Sequence, residues 1–112
     1  MKKLILITII LLIVCGCNNK SNILDINKIM KENEYIIIDV RTKEEFEEEH
    51  VIGAINIPYN EITESIDISK DLVVFVYCRS GNRSKQAYDS LTNLGYVTYD
   101  LGAISTINLP KE

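Results

Sequence analysis

The sequence is short of cysteine, histidine and positive charge, and each shortage excludes something. Three cysteines in 112 residues are too few for a disulfide framework. Beside a single histidine they scarcely supply a structural zinc site. Twelve Lys and Arg stand against 16 Asp and Glu, a net charge of −4. Nucleic acid is therefore not expected as a partner, because a phosphate backbone calls for clustered basic residues. No apolar run reaches the roughly 20 residues of a membrane-spanning helix. Asn-Gly and Asp-Gly hairpin signals are missing, as are internal repeats and low-complexity tracts. What is present is a balanced composition, 46% hydrophobic and 25% charged. It suits one small domain and excludes a multi-domain enzyme, a disordered acidic tail or a collagen-like fibre.

That average joins two unlike segments. Lys2 and Lys3 precede an apolar run from Leu4 to Val14, broken only by Thr8, which ends in Val14-Cys15-Gly16-Cys17. A charged start and a short apolar stretch read as an export signal. The aliphatic residue, the small residue and the cysteine after them resemble a bacterial lipoprotein signal. The resemblance implies diacylation of Cys17 and cleavage just before it, since Gly16 precedes Cys17 whereas bulky Val14 precedes Cys15. Two acyl chains make a stable anchor that does not span the bilayer. The expected organisation is a signal over 1–16, an acylated Cys17 with a polar tether through residue 22, and one domain over 23–112. The expected location is the cell envelope, on the outer face of the cytoplasmic membrane, or its periplasmic side where a second membrane exists. Cys78 is then the one free thiol left in the mature chain, where it is either buried packing or a reactive group.

Beyond the tether, helix and strand signals alternate. Ile23, Ile26, Ile29 and Met30 recur at helical spacing, which predicts a helix over 23–32. The β-branched run Tyr35 to Val40 predicts a strand buried on both faces. Thr42 with Glu45 forms a capping box that opens a short helix through Glu49. Ala54–Ile57 reads as a short strand stopped by Pro58, with another helical stretch starting at Asn60 or Thr63. Leu72–Tyr77 is a second buried strand, Ser84–Leu94 a helix closed by Gly95, and Val97–Tyr99 a final strand. Strands separated by helices predict an α/β fold with a small, mostly parallel central sheet.

In such sheets ligands sit beyond the carboxyl ends of the strands. Two segments qualify: Asp39-Val40-Arg41 and Cys78-Arg79-Ser80-Gly81-Asn82-Arg83-Ser84. In the second, Gly81 lets the loop curl so that its amides face inward, and the following helix points its positive end at the same concavity. Arg79 and Arg83 add permanent charge. Such a pocket lowers a thiol's pKa, produces the nucleophilic thiolate and attracts a small anion.

The segments Asp39-Val40-Arg41-Thr42-x-x-Glu45-Phe46, His50-x-x-Gly53-Ala54-x-Asn56-Ile57-Pro58 and Cys78 to Ser84, in that order, resemble a single-domain rhodanese. The resemblance covers about Ile23 to Leu109 and implies the rhodanese-like fold. It implies that Cys78 takes the outer sulfur of thiosulfate or a related anionic donor as a persulfide and passes it to a thiophilic acceptor. Arg79, Ser80, Gly81, Asn82, Arg83 and Ser84 would then line the substrate cradle. Asp39 and Arg41 stand at a strand end, where substrate contact is open to both. The family pattern implies instead that Asp39 buttresses the loop by accepting backbone or arginine hydrogen bonds. Arg41 is either beside the site or a surface ion-pair partner. His50 falls where the family uses it structurally. The acidic stretch Glu44, Glu45, Glu47, Glu48 and Glu49 around Phe46 reads as a solvated helix face rather than a metal site. No metal and no cofactor are expected, and the domain is expected to act as a monomer.

Two competing functions stay open. Cysteine phosphatases and arsenate reductases on this fold use five residues between the cysteine and the arginine, whereas Cys78 and Arg83 enclose four. A non-catalytic binding module would need no thiol, yet this chain has one. The family usually closes with Gly-Gly-x-x-x-Trp, where this chain reads Gly102-Ala103-Ile104-Ser105-Thr106-Ile107 and contains no tryptophan. Ile107 is expected to fill part of that core volume, and a closing helix is in doubt.

Overall fold

The computed structural model describes residues 25–112. The apolar leader, Cys17, the tether and the first two residues of the expected first helix lie outside the described residues. Helix α1 (Ile26–Glu32) starts at Asp25, whose carboxylate caps it by accepting from the Lys28 amide at 3.1 Å. The aliphatic run then gives β1 (Tyr35–Asp39), followed by α2 (Lys43–Glu48), β2 (Ile55–Asn56) and a single 3-10 turn at Tyr59–Glu61. Strand β3 (Val73–Cys78), α3 (Asn82–Asn93), β4 (Val97–Ala103) and a 3-10 turn at Ile104–Thr106 complete the order. The four strands form one parallel sheet in the order β2-β1-β3-β4.

The period-2 alternation of a strand sorts the core into two layers. From β3, Val74, Val76 and Cys78 point to one face, where Ala87 and Leu91 of α3 cover them with Tyr96 and Ile62. Val73, Phe75 and Tyr77 point to the other, under Ile26, Ile29 and Met30 of α1 and beside Ile104 and Ile107. Every residue of β3 is buried, which explains why it carries no polar side chain apart from the Tyr77 hydroxyl and the Cys78 thiol. That hydroxyl is satisfied, because it accepts from the Val51 amide at 3.0 Å. Ile107 is buried in the second layer, in keeping with the expectation that it fills core volume there. After the 3-10 turn the chain returns along His50–Ile52, with an antiparallel bridge between Val51 and Lys111, and no α-helix follows among the described residues.

Two elements depart from expectation. Helix α3 begins at Asn82, two residues earlier than Ser84, with Gly81 at its N-cap. Strand β4 runs four residues past Tyr99 to Ala103. It does so across a bulge: Asp100 pairs with Val76, but Gly102, not Leu101, pairs with Tyr77. Gly102 sits at φ +81° and the Asp100 carboxylate accepts its amide at 2.9 Å, which closes the bulge locally. Asp39 is in register with Tyr77. The residues that follow β1 and β3 therefore leave the sheet side by side.

Candidate active site

Cys78 is the last residue of β3 and is fully buried. The chain reverses at Gly81, whose φ of +99° a residue with a Cβ rarely adopts. Gly81 has no side chain to cap α3, so the first-turn amides of that helix turn to the sulfur. Sγ of Cys78 accepts from the Gly81 amide at 2.9 Å and from the Ser84 amide at 3.3 Å. The thiol thus takes the position an N-cap oxygen ordinarily holds, at the positive end of a twelve-residue helix. The Ser84 hydroxyl has one proton to give, either to the Gly81 carbonyl at 3.2 Å, bracing the turn, or to the Cys78 thiolate.

Burial alone would push the thiol up. The hydrogen bonds from the Ser84 side chain and amide, and from the Gly81 and Ser80 amides, outweigh that and bring it below the ordinary thiol range. The depression comes from the backbone and Ser84. The arginines, expected from the sequence to share in it, are not among its main causes.

Both arginines instead face Glu45. Arg83 forms a two-pronged pair with its carboxylate, Nη1 to Oε1 at 2.8 Å and Nη2 to Oε2 at 3.1 Å. Arg79 lies at 3.9 Å from Oε2 with its side chain 76% exposed. Glu45 Oε1 also accepts from the amide and hydroxyl of Thr42, both at 3.1 Å, completing the expected capping box of α2. The Arg83 pair is the chief cause, opposed by burial and aided by Thr42, that holds this carboxyl at about 2. Glu45 is therefore not part of a solvated face. Its side chain is only 18% exposed and belongs to the site. The sequence carried a signal for it, because Glu45 closes the Asp-Val-Arg-x-x-x-Glu-Phe segment.

The Asp39 and Arg41 side chains make no hydrogen bond to the Cys78 loop, although Arg41 lines a cleft with Arg83 on one side of it and a cleft with Arg79 on the other. The buried Asp39 carboxylate accepts from Arg41 itself: the backbone amide at 2.9 Å, Nε at 2.9 and 3.1 Å, and Nη2 at 2.6 Å. Arg41 is almost fully buried, also donates to the Glu49 carbonyl and lies 5.6 Å from the centre of the Tyr77 ring. The backbone and arginine hydrogen bonds expected of Asp39 are thus made to Arg41, within the β1–α2 turn, and the ion pair expected of Arg41 is an interior clamp rather than a contact at the surface. Asn56 joins the clamp by donating to the carbonyls of Asp39 and Arg41. His50 stacks on Phe46 at 3.9 Å and is tied to the Phe46 carbonyl and to Glu112, away from the loop. Ser80 and Asn82 are exposed at the loop surface.

Two clefts flank the loop. One of about 190 Å³ lies on the Arg83 side, between Thr42, Pro58, Tyr59 and Asn60. The other, of about 200 Å³, lies on the Arg79 side and is walled by Glu45, Glu48 and Glu49. A larger cavity of about 290 Å³ beside α1, lined by Ile26, Leu101 and Leu109 among others, contains none of the loop residues. Among the described residues no cluster of His, Cys, Asp and Glu suits a metal ion.

A thiol lowered by loop amides, with the exposed Arg79 at its rim, is equipped to attack an anionic donor. Comparison with known proteins places the chain among rhodanese-like domains. The family model described as a rhodanese-like domain matches residues 23–103. The thiosulfate sulfurtransferase PspE of Escherichia coli K12 is 42% identical over 78 residues, which cover 66% of this chain and 75% of that protein. The adenylyltransferase and sulfurtransferase uba4 of Ogataea parapolymorpha is 37% identical over 62 residues, 54% of this chain but only 16% of that much longer protein. Among solved structures, a rhodanese with anions from E. coli superposes with a TM-score of 0.64 at 37% identity, over 70% of this chain and 96% of the other.

Proposed function

The chain belongs to the rhodanese-like domain family, and from that membership and the surroundings of Cys78 we propose that it is a sulfurtransferase working through a Cys78 persulfide. The Cys78 thiolate attacks the outer sulfur of thiosulfate or a related sulfane donor. A bond forms between Sγ and that sulfur, the donor's sulfur–sulfur bond breaks, and sulfite or its equivalent leaves with the electron pair. In the persulfide the negative charge sits on the outer sulfur, one bond beyond Sγ, and the amides of residues 79–83 are the donors that hold it there. A thiophilic acceptor then attacks the outer sulfur and restores the thiolate. No general base is required, which suits a site whose nearest histidine is engaged elsewhere.

The observation that carries this is the capture of Sγ by the Gly81 and Ser84 amides at the start of α3. Because Sγ is buried, the donor enters where the exposed Arg79 and Ser80 side chains can move aside. The four-residue spacing between Cys78 and Arg83 supports sulfur over phosphate or arsenate chemistry. The amino-terminal pattern supports anchoring through an acylated Cys17 in a bacterial envelope, with the domain outside the cytoplasmic membrane.

The test is mass spectrometry of the full chain, solubilised in detergent and incubated with thiosulfate. Gain of one sulfur atom that cyanide removes, and that Cys78→Ser does not acquire, is the expected result. Hydrolysis of an aryl phosphate without sulfur gain would replace it with the phosphatase function. No reaction of either kind by a folded protein would replace it with a binding module.

A further inference from the structure

We propose that Glu45 sets the charge selectivity of the opening above Cys78, favouring sulfane donors that carry one negative charge and an organic body over the small thiosulfate dianion. The donor class rests on the sulfurtransferase function proposed above, whereas the field at the opening does not.

Glu45 is fixed from two sides. Thr42 holds Oε1 through its amide and hydroxyl, and Arg83 engages both oxygens. The guanidinium of Arg83 is thereby committed, and its charge is met before any substrate arrives. Arg79 alone, 3.9 Å from the same carboxylate and largely exposed, is free to turn towards an incoming anion. One available cation matches one negative charge. Because Glu45 has cancelled Arg83, a second charge on the donor finds no partner and faces Glu48 and Glu49, which line the same side of the loop.

The other side of the loop has space and apolar surface. The cleft of about 190 Å³ between Arg83 and the Pro58-Tyr59-Asn60 segment has room for about six water molecules at ~30 Å³ each. Tyr59 packs against the same core layer as Cys78. An organic group attached to the transferred sulfur is seated there, while its single charge stays within reach of Arg79. For a thiosulfonate the chemistry balances: the Cys78 thiolate bonds to the terminal sulfur of R–SO₂–S⁻, the donor's sulfur–sulfur bond breaks, and the sulfinate R–SO₂⁻ departs with the electron pair.

The experiment uses the full chain in detergent and reads modification at Cys78 by peptide mass spectrometry. Iodoacetate and iodoacetamide differ in charge and little in size, so the ratio of their rates reports the field at the thiol. Glu45→Gln should raise that ratio at least about threefold, and Arg79→Gln, at an exposed position, should lower it by a similar factor. Donors are then compared, each normalised to its rate with free cysteine. Methanethiosulfonate should lose at least about threefold of its kcat/KM advantage over thiosulfate in Glu45→Gln, through KM. Benzenethiosulfonate should exceed methanethiosulfonate at least about threefold in the unaltered chain.

Unchanged alkylation ratios in both variants would overturn the proposal. An equal rise with both alkylating agents in Glu45→Gln would do so too, by making Glu45 a latch on access rather than a charge filter. Shifted ratios without donor discrimination would overturn the donor class. If no donor loads sulfur while the alkylation ratios move as expected, the sulfurtransferase function falls and the field set by Glu45 stands.

Discussion

Asp39→Ala should cost this domain a large part of its stability, because it strands a buried charge. Asp39 is fully buried, Arg41 nearly so, and the carboxylate is the partner of Nε, Nη2 and the backbone amide of the same arginine. Burial of Arg41 works against its charge, while hydrogen bonds and attraction to Asp39 raise its pKa nonetheless. Removing one member of such a pair typically costs about 3–5 kcal/mol, since the other is left uncompensated. A domain of about 90 residues is stable by about 5–13 kcal/mol, so the loss is a substantial fraction of the whole. Replacing both members removes the stranded charge. Asp39→Ala combined with Arg41→Met should therefore be at least about 1 kcal/mol more stable than Asp39→Ala alone. The assay is urea unfolding at pH 7 followed by far-UV circular dichroism, the chain having no tryptophan to report fluorescence. A loss below about 1 kcal/mol for Asp39→Ala, or a double variant no better than the single one, would refute the buried-clamp assignment. A changed alkylation midpoint at Cys78 without loss of stability would return Asp39 to the thiol loop.

Glu45, held at about 2 against an ordinary 4.5, contributes stability that is present above pH 4.5 and lost as pH falls towards 2. The contribution is at most about 3 kcal/mol. Urea midpoints of the unaltered chain and Glu45→Gln should thus converge across that window, and a difference that persists at pH 2 would remove the ion pair as its cause. Ser84→Ala should raise the pH midpoint of Cys78 alkylation, because a donor to the thiolate is lost while burial remains, and an unmoved midpoint would assign the depression to the amides alone. Cys17→Ala should leave the protein uncleaved and without lipid, and fractionation that finds normal cleavage and lipid labelling would place the acylated residue elsewhere.

The strands and the thiol loop were legible because they rest on local rules. Continuous β-branched runs at Tyr35–Asp39 and Val73–Cys78 require burial on both faces, and Thr42 and Glu45 spell a capping box that the structure contains. The sequence predicts strand β4 only over Val97–Tyr99, and Asp100 and Gly102, both poor strand formers, give no local reason to extend it. In the sheet those residues form a bulge, and only pairing with β3 carries the strand through it. The partners of Asp39, Arg41 and Glu45 are not legible for a related reason. A charged residue's partner is set by the angle at which two elements leave the sheet, which residue spacing does not encode. Asp39 turns back on its near neighbour, while Glu45 reaches across 38 residues to Arg83.

The division of labour at the loop follows from which charges are fixed and which are free. The thiolate is stabilised by amides that cannot move without unwinding the start of α3, so its reactivity is built into the backbone. The arginines are secondary in that activation, and they diverge: Arg83 is committed to Glu45 and ties α2 to α3, whereas Arg79 stays exposed. A side chain that neither activates the nucleophile nor supports the fold can change its partner at little cost. Arg79 is thus the position where donor recognition can be altered without disturbing the sulfur chemistry, and Glu45 the position where the two are joined.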